Sequence, residues 1–74
     1  MTVQDFLTEL KTAINCDQDL SPETVLSNIP QWDSLAIICV ITLFEEKLQK
    51  HISFEQLQDV TTVQSLIDLA GNLQ

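Results

Sequence analysis

Apolar residues recur every three or four positions in the opening segment: Val3, Phe6, Leu7, Leu10, Ala13 and Ile14 form one stripe. That spacing predicts an amphipathic helix from Thr2 to about Ile14. Thr2 can cap its N-terminus, and Asp5 sits in the first turn, where the helix dipole favours negative charge. The pattern then breaks. From Asn15 to Asp33 the chain is punctuated by Asp17, Asp19, Ser21, Pro22, Asn28 and Pro30, which mark a long connection. Ser21-Pro22-Glu23 suits the start of one short helical turn, with proline at the first position, where its missing N–H costs nothing. Leu20, Val25, Leu26 and Ile29 supply apolar anchors that argue against disorder. Long connections in compact domains are usually functional when ordered.

The next segment, Ser34 to about Gln49, is ambiguous on periodicity alone. Ile37, Ile38, Val40, Ile41 and Thr42 are β-branched and would suit a buried strand. The pattern continues through Phe44-Glu45-Glu46-Lys47-Leu48, too long for a typical strand, so a helix is predicted. Asp33 is its expected N-cap, and Lys47 and Lys50 suit the negative end of its dipole. On the helical wheel Ile37, Val40, Ile41, Phe44 and Leu48 share one side, assigned to the core. Leu35, Ile38, Cys39, Thr42 and Glu46 fall opposite. Ser53-Phe54-Glu55-Gln56 matches a capping box and starts a short helix ending near Gln58. Thr61-Thr62-Val63-Gln64 matches another. The helix it begins turns Val63, Leu66, Ile67 and Ala70 inward and ends near Gly71. The predicted fold class is an all-α bundle of three main helices and one short helix, with a long loop between helices 1 and 2.

Size narrows the function. A 74-residue chain is one domain, 1–74, and buries only about 60% of its unfolded surface, which leaves little room for an enclosed active site. Charge narrows it further. Eleven acidic residues face three lysines, for a net charge of −8. Nucleic acid and anionic membranes are therefore poor partners, and a basic protein surface is a good one. The same charge would also keep a small protein soluble. Cys16 and Cys39 make neither a disulfide framework nor a metal motif, and no metal site is expected. The opening residues lack the basic and apolar regions of a secretory signal, and the longest apolar run, Leu35 to Phe44, is half the length a bilayer needs. A reducing cytoplasm and a monomer are expected.

No catalytic constellation is apparent, and no catalytic residue is assigned. His51, the sole histidine, follows the central helix without an acid–nucleophile pattern, so a helix-end or solvent role is expected. Glu45 and Glu46 are adjacent, hence about 100° apart on a helix, and read as a solvated face. Trp32-Asp33-Ser34-Leu35 is more informative. With Asp33 as cap, Ser34 becomes the first helical residue. Its hydroxyl then stands beside free N–H groups and the positive end of the dipole, a sensible place for a phosphate-linked arm. An isolated D-S-L tripeptide reads more simply as capping chemistry.

The surroundings of that tripeptide point elsewhere. D-S-L-A-I-I-C-V-I-T-L-F-E-E-K-L-Q-K-H-I-S, running on to D-V-T-T-V-Q-S-L-I-D-L, resembles the attachment segment and following helices of the phosphopantetheine-binding acyl carrier proteins. The first helix and the long loop match in length and pattern. The resemblance implies that Ser34 carries a covalent 4′-phosphopantetheine arm, placed there by a phosphopantetheinyl transferase, with Asp33 the acidic residue beside it. The arm's thiol would carry an acyl group, and the chain would be a shuttle rather than an enzyme. Acyl ligases, synthases and acyltransferases are the implied partners. Trp32, Leu35, Ile38, Cys39, Glu45 and Glu46 are the candidate docking residues. Trp32 stands where the main fatty-acid carriers usually have glycine, and Ala36 and Cys39 where they have acids. That departure points to a specialised pathway and a mainly apolar docking face. Fatty acyl, aminoacyl, hydroxyacyl and polyketide cargo all remain compatible. The alternative is an unmodified, carrier-like interaction module.

Overall fold

In a computed structural model, residues 1–71 are described. They form α1 (Val3–Ala13), a single 3₁₀ turn (Leu26–Asn28), α2 (Ser34–Leu48), α3 (Phe54–Gln58) and α4 (Val63–Ala70). The predicted all-α bundle of three main helices and one short one is what the chain adopts. One hydrophobic cluster draws on all four helices and the first loop. At its centre Phe6 of α1 and Phe44 of α2, both fully buried, meet edge to face with ring centroids 5.8 Å apart. No polar or charged residue is buried among the described residues, so the core is apolar throughout.

α1 begins in a reciprocal cap. The Thr2 hydroxyl accepts from the Asp5 N–H at 3.1 Å, and Asp5 Oδ2 accepts from the Thr2 N–H at 3.3 Å. Phe6, Leu7, Leu10 and Ile14 are buried, and Val3 and Ala13 pack half-buried at the edge of the cluster. Asn15, with φ 55°, turns the chain out of the helix in the left-handed region that asparagine tolerates better than most residues.

The connection holds one correction. Pro22 and Glu23 form a β-turn closed from the Thr24 N–H to the Ser21 carbonyl at 3.0 Å, and the helical turn comes later, at Leu26–Asn28. The reason is tertiary: the Leu26 N–H is already committed to the Thr61 carbonyl at 2.9 Å, which fixes where the loop can coil. Leu26 and Ile29 are buried as anchors, but Val25 is exposed and contributes through its backbone, bridged to Thr62.

That same seam corrects the start of α4. Its cap is Thr62, not Thr61, and Thr62 Oγ1 accepts from the Ser65 N–H at 3.3 Å. The Val63 and Gln64 N–H groups donate to the Thr24 and Pro22 carbonyls at 3.0 and 2.9 Å. Loop carbonyls thus satisfy donors that a helix start leaves open. The Gln64 side chain is free to pair with Asp68 instead of closing a capping box. The predicted box at Ser53–Gln56 does form and starts α3. Lys50, expected to serve the end of α2, reaches the C-terminal end of α4, with Nζ 3.4 Å from the Leu69 carbonyl. Gly71 ends α4 at φ 84°, a conformation suited to glycine.

Candidate functional site

The loop delivers the chain to α2 through Pro30, Gln31 and Trp32. The Trp32 N–H donates to the Ile29 carbonyl at 3.0 Å, and its side chain lies half-buried against the core. Trp32 is therefore both an anchor for the end of the loop and accessible from outside. Asp33 follows in extended conformation as the N-cap: Oδ1 accepts from the Ala36 N–H at 2.9 Å, and its carbonyl from the Ile37 N–H at 3.0 Å. Ser34 is the first helical residue, and its side chain is exposed. The Ser34 and Leu35 N–H groups find no acceptor among the described residues. An exposed hydroxyl, two open N–H donors and the positive end of a fifteen-residue helix suit a phosphodiester. The residues present therefore fit a phosphopantetheine arm at Ser34, with Asp33 holding the turn that presents it.

Beyond Ser34, the outward face of α2 is apolar where solvent would favour polar groups. Leu35 is 68% exposed and Ile38 51%. Glu45 and Glu46 are exposed about two turns beyond Ile38. Glu45 lies 3.8 Å from His51 Nδ1, a contact between exposed groups, which places His51 at the solvated end of the helix. Cys39 departs from expectation: it is half-buried rather than outward. Ala36 and Leu43 belong to the core, whereas Ile41 and Leu48, assigned to it, are half-buried at its edge. The buried arc of α2 is thus rotated from the predicted one, because α1 packs against the side carrying Cys39 and Leu43. Ala36 is consequently no part of the outward face.

Packing of α1 also brings forward residues that α2 alone gave no reason to choose. Glu9, Thr12 and Ala13 of α1 face Ile38, Cys39 and Leu43 across a groove that opens one turn beyond Ser34. Cys16 is buried, its Sγ 3.4 Å from the Gln18 carbonyl, and both cysteines are free thiols. No cluster of three or more metal-ligating side chains occurs among the described residues, and no helix there is long and apolar enough to cross a membrane.

Comparison with known proteins agrees with this architecture. No protein-family model and no curated protein sequence matches the chain. A solved structure does: a Mycobacterium tuberculosis protein provisionally assigned as an acyl carrier protein, 23% identical, with a TM-score of 0.73 over 88% of each chain. The fold is acyl-carrier-like. At that level of identity the likeness concerns backbone architecture alone.

Proposed function

We propose that this chain is an acyl carrier protein, holding an acyl intermediate as a thioester on a 4′-phosphopantetheine arm attached to Ser34. The observation that carries this reading is the exposed Ser34 hydroxyl at the start of α2, directly after the Asp33 cap, in an acyl-carrier-like fold. The arm would supply the thiol chemistry. The chain's own part is to present Ser34, to favour the phosphodiester with the open N–H groups of Ser34 and Leu35, and to offer α2 as a handle.

A phosphopantetheinyl transferase, an acyl ligase, and a synthase or acyltransferase are the partners this role requires. Trp32, Leu35, Ile38 and Cys39 with Glu45 and Glu46 form the proposed docking face, Cys39 at its inner edge. The apolar character of Leu35 and Ile38 favours a dedicated partner in a specialised pathway. The proposed activity is carriage in the cytoplasm, with bond-making and bond-breaking left to the partner enzymes.

The test is incubation with coenzyme A, magnesium and a broad-specificity phosphopantetheinyl transferase, read by intact mass. One phosphopantetheine is expected on the protein and none on Ser34→Ala. A mass gain that survives in Ser34→Ala would move the attachment elsewhere. An unmodified chain, both here and when isolated from its native host, would leave the interaction module as the correct reading.

A further inference from the structure

Gln31 is half-buried, but its side-chain oxygen, Oε1, is enclosed and accepts no hydrogen bond among the described residues. An enclosed acceptor without a donor has given up water and gained nothing in return, so a protein keeps one at a cost that calls for a reason. The place of this one is fixed by the backbone. Pro30 and Gln31 are the central residues of a turn closed by the Trp32 N–H on the Ile29 carbonyl at 3.0 Å. Proline suits the first central position of such a turn, and buried Ile29 anchors it to the core. Gln31 is thus held firmly, three residues before Ser34.

Gln31 also lines a small cleft of about 190 Å³ with Asp17, Gln18 and Pro30, where the two ends of the first loop come together. The volume corresponds to about six waters at roughly 30 Å³ each, room for a short amide-bearing chain. No cation lines the cleft, and Asp17 gives it negative charge, so it favours hydrogen-bond donors over anions. The Gln18 carbonyl is already engaged by Cys16 Sγ at 3.4 Å. Gln31 Oε1 is the acceptor left over. The terminal torsion of a glutamine is broad, so a small rotation turns Oε1 toward a donor entering the cleft.

We propose that Gln31 is a positioning residue for the arm on Ser34: its Oε1 accepts a hydrogen bond from the arm's first amide N–H and holds the base of the arm against the first loop. The proposal rests on the carrier reading above and adds to it a residue outside both the Asp33 cap and α2. The reach is matched. Counted along the serine side chain, the phosphate and the pantoyl carbons, the first amide nitrogen stands as many bonds from the Ser34 Cα as the Gln31 Cα does. That is three residues' length of chain, at most about 11 Å. The amide is a neutral donor, which suits a cleft edged by Asp17. The thiol end of the arm lies well beyond this contact and stays free for partners.

The test attaches the arm from nitrogen-labelled coenzyme A to the parent protein and to Gln31→Leu, with loading confirmed by intact mass. Exchange of the first arm amide proton with water is then measured by NMR, with free coenzyme A as reference. In the parent it is expected to be about fivefold slower than in coenzyme A, the protection that a hydrogen bond of ordinary net strength gives. In Gln31→Leu the protection should vanish. Leucine fills comparable space without an unpaired acceptor, so the variant without its arm is expected to be at least as stable as the parent without its arm. Attaching the arm should raise the thermal midpoint of the parent and leave that of Gln31→Leu unmoved, whereas a residue that matters only for packing would respond alike in both. An unprotected first amide in the parent, or equal protection in Gln31→Leu, would overturn the proposal while leaving the carrier reading intact. So would an arm-free Gln31→Leu variant less stable than the parent, because Oε1 would then be satisfied before any arm arrives. An intact mass without the arm would overturn the carrier reading itself, and the role of Gln31 with it.

Discussion

Asp33 and Ser34 are neighbours with separable duties. The Asp33 carboxylate holds the first turn of α2 through the Ala36 N–H, whereas the Ser34 hydroxyl is exposed and unneeded by the fold. Asp33→Ala is therefore expected to lower stability by about 1 kcal/mol, the usual cost of losing an N-cap. Ser34→Ala should stay within about 0.5 kcal/mol of the parent, as surface substitutions do. Urea unfolding followed by circular dichroism separates the two, and equal losses would mean that Ser34 has a structural role. Trp32 adds an optical reporter at this spot. Being half-buried two residues before Ser34, its emission is expected to change on arm loading or partner docking. Identical spectra in apo, loaded and partner-bound forms would remove it from the docking face.

At the scale of elements, the proposed carrier role makes the exposed face of α2 the handle for partners. Exposed Leu35 and Ile38 offer apolar contact, with Asp33, Glu45 and Glu46 as a charged rim. Rim charges tune association rate and salt dependence, while buried apolar contacts set dissociation. Ile38→Asp is expected to weaken a dedicated partner more than tenfold, about 1.4 kcal/mol or more, with only modest loss of affinity from low to physiological salt. Steep salt dependence together with an indifferent Ile38→Asp variant would place docking elsewhere. A second element-scale link joins α1 to the first loop, where Lys11 Nζ meets Asp19 Oδ1 at 2.9 Å. Hydrogen bonding to Lys11, then its charge, holds the Asp19 carboxyl below the usual carboxylate range. The same contact raises the Lys11 ammonium above its usual value. What Asp19 contributes is present at neutral pH and is lost as pH falls through its lowered pKa. What Lys11 contributes is lost only in strong alkali, as pH rises through its raised one. Both groups face solvent, so the effect on stability is small. The clearer readout is an NMR titration of Asp19, whose pKa is expected to rise toward the ordinary range in Lys11→Met. An unmoved titration would show that the pair does not form.

At the largest scale, a small apolar core carries the fold, with no buried polar network among the described residues. Phe44 is fully buried, packs on Phe6 and belongs to the helix that also presents Ser34. Phe44→Ala is expected to cost about 3–5 kcal/mol, a large part of the stability available to a chain this size. Thermal unfolding should show a sharply lowered midpoint or no cooperative transition. A loss below about 1 kcal/mol would mean that the core collapses around the gap. Arm loading should suffer in step with folding, because Ser34 is placed by packing of α2 and not by any contact of its own.

The sequence by itself determined the local events. Thr2, Asp33 and Ser53 announce their helices because a capping side chain acts on backbone only three residues away, and stripes such as Phe6, Leu7 and Leu10 declare a buried face without reference to a partner. The place of Ser34 at the start of α2 was legible for the same reason. Tertiary structure decided whatever depends on a distant neighbour. The box read from Thr61 gave way to a cap at Thr62, where the loop carbonyls of Pro22 and Thr24 take the first N–H groups of α4. The turn at Leu26–Asn28 was set by Thr61, thirty-odd residues along the chain. Cys39 read as outward on the α2 wheel, yet became the floor of a groove because α1 packs beside it with Glu9, Thr12 and Ala13. A helical wheel gives the width of an apolar arc, but only the packed neighbour fixes which edge of that arc is covered and which is left open to bind.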